Sequence, residues 1–587
     1  MVQVITNHVG YDADYTKNAV FCGEAGMKPV SFDVINHADG AVVFSGKPVE
    51  VGEVDRWNTG YYWTMRFDEV KADGKYYILL KTEDDKEYRS YPFEIGKNIQ
   101  EMMTLSHAGY YFKAQRPTGE VEAAERNLKF GGPREGSQDV RGGWYDATGD
   151  IGIHLSHLSH TSYFNPQQAA FSAYVFFKIN DLLEESRYPC YTMLKRRMLD
   201  EGMYGADFLM RMRAPSGSFF RSKGRSEAFC PINTTRHISF EFKKPSKRQG
   251  GGAWGDENEI TDESYETSFR SGGGYAIAAL AYAARTTYPS DYPKEEYIHA
   301  AISAYDYLYA NNEKYTNDGK WNLVDEYCAL DALVELYKTT REIDYLRRAR
   351  DMVSRIAEKY VPVDDTMGYL SVNGTKRPFF HAADAGMPVV NLLNYYNIEI
   401  NDELRAKTLD LAEKLMRYEL HVTNEVSNPF GYARQLIQSG DGTIKTQFFY
   451  PHDVETAPWW QGENARIGSL STAARSLSYY VCDEEFKAAL NKYADDQINW
   501  VLGLNPYDAC MMEGRGHNNN YYFYNVMKDF IQCPGGIVNG ITGGLHDENG
   551  IEFITAPTDE IIDNWRWAEQ WIPHASWYLY AQCMKKV

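Results

Sequence analysis

The chain has 587 residues, a formal net charge of −20 and 43% hydrophobic residues. This length suggests two or more domains, but large α/α barrels exceed the usual domain size as single domains, so length alone does not settle the count. The negative charge excludes the usual nucleic-acid and anionic-membrane partners, because binding phosphate groups requires clusters of Lys and Arg. No window approaches 18 uninterrupted apolar residues, so no membrane span is predicted.

The eight cysteines are scattered and form no CxxC pair, so free and mostly buried thiols in a reducing compartment are expected. The segment SHLSH at 156–160 has a metal-like composition, but its outer histidines are three apart and no third ligand is evident. We therefore predict no metal and no cofactor. The start of the sequence has no basic stretch followed by an apolar run, which predicts a cytoplasmic location.

Residues 1–97 are predicted to form short strands rich in Val, Ile, Tyr and Phe. The strands are VSFDVIN (30–36), AVVFSG (41–46), YYWTMRF (61–67), KYYILLK (75–81) and YRSYPFEI (88–95). Turn residues at 38–40, 72–74 and 83–86 separate several of them. This spacing predicts an immunoglobulin-like β-sandwich.

Residues 98–587 have a helical hydrophobic period. In 345–360, one helical face carries Leu346, Ala349, Val353 and Ile356. Further helices are predicted at 171–186, 193–213, 272–286, 296–310, 326–341, 403–418, 464–480 and 484–502. About a dozen helices joined by long loops predict an α/α barrel, so the fold class is multidomain, a β-sandwich followed by an all-α barrel.

The segment GGWYDATGD at 142–150 brings two carboxylates together between predicted helices. Gly143 and Gly149 permit turns that expose Asp146 and Asp150 on one loop. Such a pair can hold and deprotonate a water molecule, although an Asp-rich turn or a calcium loop would have the same composition.

A separate carboxylic acid near the C-terminus could complete the chemistry of glycoside hydrolysis. Glu569 lies among Trp565, Trp567 and Trp571, and an apolar environment would raise its pKa as a general acid requires. A surface Glu beside core tryptophans is the alternative interpretation.

These segments together resemble glycoside hydrolase family 9, the cellulases and their relatives. GGWYDATGD resembles the family's GGWYDAGD, and Glu569 occupies the place of its late acidic residue. Four further segments resemble the family in chain order: NHVGYDADYTKNAV (7–20), SYPFEIG (90–96), SFRSGGGYAIAALAYAAR (268–285) and LGLNPYDACMMEGRGHNN (502–519). The resemblance implies an (α/α)6 barrel after an immunoglobulin-like domain. It also implies inversion at the anomeric carbon, with Asp150 as general base, Asp146 as its partner and Glu569 as general acid.

Departures from the cellulase pattern point to a narrower group. Asp146 and Asp150 are four positions apart instead of three, the usual double-His segment is replaced around His517, and Ala575 replaces a common Asn. The segments 378–390 and 451–467 also resemble the leaderless exo-β-D-glucosaminidases of the family more than its endoglucanases. Alternatives are a β-glucosidase acting on cello-oligomers, an endo-β-1,4-glucanase, and a non-catalytic carbohydrate-binding protein.

The expected partner is a short β-linked oligosaccharide, and candidate binding residues follow from that reading. Glu463 or Asp384 could pair with the ammonium of glucosamine, although Glu463 could equally interact with a helix dipole. Trp144, Trp459 and Trp460 could stack on sugar rings, with burial as the alternative for Trp460. The remaining candidates for sugar contacts are Tyr145, His381, His517 and Asn518.

Overall fold

The computed structural model describes residues 2–157, 162–186, 191–225, 236–241, 260–456, 460–524 and 532–585. Ten strands form an N-terminal β-sandwich in two sheets, ordered β1-β3-β7-β6 and β2-β10-β8-β4-β5, with β9 paired to β8. Their bounds are β1 Gln3–Ile5, β2 Tyr11–Asp12, β3 Asn18–Gly23, β4 Pro29–Asn36, β5 Val42–Gly46, β6 Val49–Gly52, β7 Tyr61–Arg66, β8 Gly74–Thr82, β9 Glu87–Arg89 and β10 Phe93–Gly96.

The sheet that contains β1, β3 and β7 is buried on both faces. Phe21 and Trp63 point into the core of the sandwich, whereas Val20, Cys22 and Tyr62 join the core of the helical domain. Side chains alternate between the faces of a strand, so one sheet contributes to two cores. The sandwich is therefore docked on the helical domain through the outer face of β1, β3 and β7.

The second domain is helical. Its helices are α1 Ile99–Ala114, α2 Gly119–Glu125, α3 Ala169–Ser186, α4 Thr192–Arg211, α5 Gly274–Ala283, α6 Lys294–Asn311, α7 Leu323–Thr340, α8 Ile343–Ala357, α9 Met387–Tyr396, α10 Asp402–Asn424, α11 Asn464–Ser478, α12 Glu484–Val501, α13 Trp565–Ala568 and α14 Ile572–Cys583. The loops between the helices contain short strands: β11 Leu128–Lys129, β12 Ser137–Gln138, β13 Ile153–His154, β14 Ser222–Arg225, β15 Arg236–Ile238, β16 Tyr360–Pro362, β17 Gly368–Leu370, β18 Gln435–Gln438 and β19 Ile444–Gln447.

Six of the helices form a closed inner ring. Helices α3, α5, α7, α9, α11 and α14 each contact the next in this order, and α14 returns to α3. Each inner helix also packs against one outer helix, which is α4, α6, α8, α10, α12 or α1 respectively. This arrangement is the (α/α)6 barrel that the sequence predicted.

Predicted and observed elements agree for most of the longer helices. Outer helix α8 buries Leu346, Ala349 and Ile356 and exposes its opposite face, as its apolar period indicated. The inner helices α5 and α11 were also predicted, although they are buried along their whole lengths. Helix α14, which is equally buried, and strand β3, which is buried at every position, were not predicted.

The junction between the two domains combines buried ionic and aromatic contacts. Lys585, which follows α14, forms an ion pair with Asp12 of β2 and lies 3.7 Å from the carboxylate of Glu101 in α1. Burial raises the pKa of Glu101 to about 7, although the charge of Lys585 opposes this. Trp57 of the sandwich stacks on Phe449 of the barrel, with ring centroids 5.8 Å apart.

Two sequence-based expectations concern cysteines and membrane spans. Among the described residues, six cysteines are free thiols and five of these are buried, Cys482 being the exposed one. Cys190 and Cys230 lie outside the described residues.

No helix in the described ranges has both the length and the apolar character that crossing a bilayer requires.

The inner ring depends on a close approach at Gly386, directly before α9. A Cβ atom there would lie 2.2 Å from the carbonyl oxygen of Ser469 in α11. We expect Gly386→Ala to lower the free energy of unfolding by about 1–3 kcal/mol through overpacking. Denaturant unfolding measures the change. The control is Gly96→Ala, where the nearest atom is 3.7 Å away; equal losses in both variants would contradict the steric explanation.

Candidate active site

The residues that precede the inner helices meet at one end of the barrel. Gln168 directly precedes α3 and Trp571 directly precedes α14, and both donate a hydrogen bond to Oδ1 of Asp146. Asp384, which precedes α9, accepts a hydrogen bond from the backbone N–H of Gln167 at 2.9 Å. This end of the barrel therefore contains the first predicted catalytic carboxylate.

The loop that carries Asp146 and Asp150 is a compact turn. Gly143 and Gly149 have φ values of 76° and 89°, in the left-handed region that favours glycine. The N–H of Asp146 donates to the carbonyl of Gly152 at 2.8 Å. The N–H of Gly152 in turn donates to Oδ1 of Asp150, also at 2.8 Å. These bonds fix the backbone of both acids.

Backbone pairing attaches this loop to the segment that follows Glu569. Ala147 and Trp571 form an antiparallel bridge. The N–H of Thr148 donates to the carbonyl of Gln570 at 2.9 Å, and the N–H of Ile572 donates to the carbonyl of Asp146 at 3.1 Å. The two segments lie more than 420 residues apart in sequence, as the Thr148–Gln570 side-chain bond at a separation of 422 shows. Glu569 is thereby placed beside the loop of Asp146 and Asp150.

The three predicted catalytic acids also share buried tyrosine neighbours. Burial raises the pKa of Tyr522, and the negative charges of Glu569, Asp563 and Asp150 raise it further. Burial likewise raises the pKa of Tyr111, with Asp146 and Glu569 among the charges that add to the effect. Each tyrosine therefore lies within electrostatic range of acids from both segments.

Several of these contacts were not predicted from the sequence. Gln168 and Trp571 orient the Asp146 carboxylate, and Nε2 of His154 lies 3.9 Å from Oδ2 of Asp146. Asn564 accepts the N–H of Phe523 at 3.0 Å and thereby holds the chain next to Tyr522. Nothing in the local sequence marks these residues, except that Gln168 and Trp571 directly precede helices.

The expectation that Trp144 stacks on a sugar is wrong. Its ring is fully buried, and its indole N–H donates to Glu201 at 2.9 Å. The ring packs among Phe112, Phe176 and Tyr204, so no face is open to a ligand. The neighbouring Tyr145 is half-buried. Its pKa is raised chiefly by burial, with Arg236 and Glu125 as its charged neighbours.

The expectation that Asp384 or Glu463 binds an ammonium group is also corrected. Asp384 is fully buried and accepts the indole N–H of Trp577 at 2.8 Å. Burial raises the pKa of Asp384 to about 7. Glu463 is 1% exposed and forms an ion pair with Arg466 at 2.7 Å. Both carboxylates satisfy internal donors and are closed to a ligand.

His381 supports the loop before α9 and does not face solvent. It is fully buried, and its Nδ1 accepts the backbone N–H groups of Ala383 and Asp384 at 3.1 and 2.8 Å. Burial lowers its pKa to about 3, so the ring is neutral. A contact between His381 and sugar hydroxyls is therefore excluded in this conformation.

The other residues predicted to bind sugar make contacts away from the carboxylate of Asp146 or lie outside the described residues. His517 bonds Asp508 at 3.1 Å and stacks on His8 of the sandwich, so it belongs to the domain junction. Asn518 donates to the carbonyl of Asp508 at 2.7 Å. Trp460 is 7% exposed and stacks on His452. Trp459 lies outside the described residues.

A closed ring of six helix pairs, with three acids at one end and a β-sandwich on its flank, is an architecture of glycosidases. The family profile described as glycosyl hydrolase family 9 matches residues 102–539, and that of the cellulase N-terminal ig-like domain matches residues 2–85. The chain therefore belongs to glycosyl hydrolase family 9. The match ends before Glu569, so the position of that residue rests on the geometry described above.

Solved structures with the same fold cover nearly the whole chain. A metagenome-derived glycoside hydrolase family 9 endoglucanase has a TM-score of 0.65 at 18% identity, covering 100% of this chain and 99% of that chain. A Bacteroides ovatus GH9 protein has a TM-score of 0.65 at 17% identity, covering 99% and 98%. The GH family 9 endoglucanase J30 has a TM-score of 0.66 at 17% identity, covering 98% and 100%. At such identities the likeness shows the fold. No curated protein matches the chain.

The two hydrogen bonds on Asp146 predict a role for Trp571 in positioning. Trp571→Phe keeps the ring but removes the indole N–H that holds Oδ1 at 2.8 Å. We expect a kcat about tenfold to a hundredfold lower, because a charge-assisted hydrogen bond no longer orients the carboxylate. We expect KM to change little.

The matched control is Trp500→Phe. Trp500 is also fully buried, but its indole N–H has no hydrogen-bond partner among the described residues. Steady-state kinetics on an oligosaccharide substrate compare the two variants. Equal loss of kcat in both would show that the effect of Trp571→Phe comes from general core damage.

Proposed function

We propose that the protein is an inverting glycosidase that releases single units from the non-reducing end of short β-1,4-linked oligosaccharides, with glucosamine as the preferred unit. Asp150 acts as general base, Asp146 as its partner and Glu569 as general acid. The main support is the backbone pairing of residues 146–148 with 570–572, which joins the segment that follows Glu569 to the loop of Asp146 and Asp150.

The arrangement suits a single displacement at the anomeric carbon. Asp150 takes a proton from water on one face of the sugar, while Glu569 protonates the leaving oxygen on the other. Asp146 cannot turn freely, since Gln168 and Trp571 hold one of its oxygens. A fixed second carboxylate beside Asp150 helps to orient the water molecule and keeps the local field negative.

A fourth carboxylate supports the preference for a cationic sugar. Asp563 contributes, with Glu569 and Asp150, to raising the pKa of the buried Tyr522. Its strongest charged partner is Arg566, which itself stacks over Trp460 and Trp565. These acids would attract an ammonium group at the 2-position of a bound sugar more strongly than a neutral hydroxyl group.

An endo-β-1,4-glucanase is the second candidate. Of the three solved structures described above, two are named endoglucanases. A β-glucosidase acting on cello-oligomers uses the same three acids, and glucose differs from glucosamine only at the 2-position. Comparing the rates on different substrates distinguishes the exo-glucosaminidase, the β-glucosidase and the endoglucanase.

Removal of either proposed proton-transfer group tests the mechanism. We expect Asp150→Asn and Glu569→Gln each to lower kcat by about 10²–10⁴-fold, the usual contribution of a general acid or base. Proton NMR of the first product should show the α-anomer. Glu560→Gln, at an exposed acid near the same region, is the control. Full activity of Asp150→Asn, with its fold verified by circular dichroism, would refute the assignment.

The substrate preference is tested with chitosan disaccharide, cellobiose and soluble carboxymethyl cellulose. We expect kcat/KM for chitosan disaccharide to be at least about tenfold above that for cellobiose, which is about 1.4 kcal/mol in transition-state binding. Asp563→Asn should reduce this ratio and leave cellobiose hydrolysis almost unchanged. Faster cleavage of cellobiose would favour the β-glucosidase, and rapid loss of viscosity of the polymer would favour the endoglucanase.

A further inference from the structure

Two histidines and an aspartate from distant parts of the chain meet where the sandwich contacts the barrel. His8 lies between β1 and β2, whereas Asp508 and His517 lie in the loop that follows α12. Nε2 of His8 is 2.9 Å from Oδ1 of Asp508, and Nε2 of His517 is 3.1 Å from Oδ2. One ligand atom from each residue lies within 4.8 Å of the others. We propose that His8, Asp508 and His517 form a binding site for a divalent transition metal, with zinc as the best match.

The donor set has the composition that zinc prefers. Two imidazole nitrogens and one carboxylate oxygen, with water as a fourth ligand, are a common tetrahedral zinc environment. Zinc ligands at 2.0–2.1 Å in a tetrahedron are about 3.3 Å from one another. The nitrogen–oxygen separations of 2.9 and 3.1 Å are only slightly shorter. Each nitrogen is therefore separated from the carboxylate nearly as two zinc ligands are.

The surroundings fix the orientation of both imidazoles. The rings of His8 and His517 stack with centroids 3.5 Å apart and planes 16° apart, and Tyr91 contacts the ring of His517 at 4.2 Å. A Cβ atom at Gly503 or at Gly516 would lie within 2.5 or 2.6 Å of His8. Both backbone segments thus close on the His8 ring, and the two Nε2 atoms are presented to the same carboxylate.

Access to the cluster is from one side. The side chains of His8 and Asp508 are 1% and 8% exposed, whereas His517 is 28% exposed. The ion and its water ligand approach past His517. Zinc at Nε2 of His8 requires the ring proton to sit on Nδ1. That atom then no longer accepts the 3.3 Å hydrogen bond from the N–H of His517, so the two groups must move apart.

A bound ion would connect the domains next to the proposed catalytic region. The N–H of His8 already donates to the carbonyl of Leu502 at 2.8 Å. The loop that carries Asp508 and His517 continues to Tyr522, whose pKa reports the charges of Glu569 and Asp150. The metal would therefore stabilise the domain junction and the start of this segment without contacting the sugar.

The experiment uses the full chain after dialysis against a chelator. Zinc is titrated in competition with a chromogenic chelator, and cobalt(II) is added separately to record its visible spectrum. We expect one zinc equivalent with micromolar or tighter affinity, the intense bands of tetrahedral cobalt, and a Tm that rises by several degrees with zinc. Absence of a tight equivalent in the full chain would overturn the proposal.

Variants of the cluster residues test whether the bound zinc ion occupies this cluster. His8→Gln and His517→Gln should each bind zinc at least tenfold more weakly. His546→Gln is the matched control, because His546 is exposed and bonds the carboxylate of Glu560 at 3.0 Å outside this cluster. Unchanged binding in both cluster variants would overturn the proposal. If His8→Gln does not fold, crystals of the unaltered chain with zinc are measured at the zinc absorption edge. An anomalous peak between His8, Asp508 and His517 is expected, and a peak at another position would overturn the proposal.

Discussion

The pairing between residues 146–148 and 570–572 is the interaction on which the proposed active site depends. It consists of a few backbone hydrogen bonds, yet it joins segments that are more than 420 residues apart. Loss of this pairing would separate Glu569 from Asp146 and Asp150, because these acids are held by their backbones more than by one another. The position of α14 in the inner ring is thus coupled directly to the catalytic geometry.

Two buried acidic residues, Asp384 and Glu463, hold further segments of the barrel in place. Asp384 binds both the backbone before α3 and the indole of Trp577 in α14. Glu463 neutralises Arg466 and accepts hydrogen bonds from Gln435 and the backbone of Tyr450. Buried charges require such partners, since desolvation would otherwise be too costly. The acids that seemed suited to bind a cationic sugar instead hold the loops in place.

The sequence was informative about the strands from Val30 onward and about most of the longer helices, including the inner helices α5 and α11, which are buried all round. Helix α14 and strand β3 are also buried all round and were not recognised. The acids Asp146, Asp150 and Glu569 were recognised because their motifs resemble a known family. The burial of Trp144 was not predictable, since a Trp beside a catalytic motif has the same local sequence whether it faces a ligand or the core. The contact between His8 and Asp508 joins residues 500 positions apart, so no local sequence pattern could have predicted it.

The inner ring has a consequence for how the chain folds during its synthesis. Helix α14 closes the ring against α3, and Lys585 then pairs with Asp12 across 573 residues. Most of the barrel must have left the ribosome before either contact can form. Until then, the face of α3 that contacts α14 and one sheet face of the sandwich lack their partners. The nascent chain therefore spends a long period with exposed apolar surface, and the acids come together only in one of the last steps of folding.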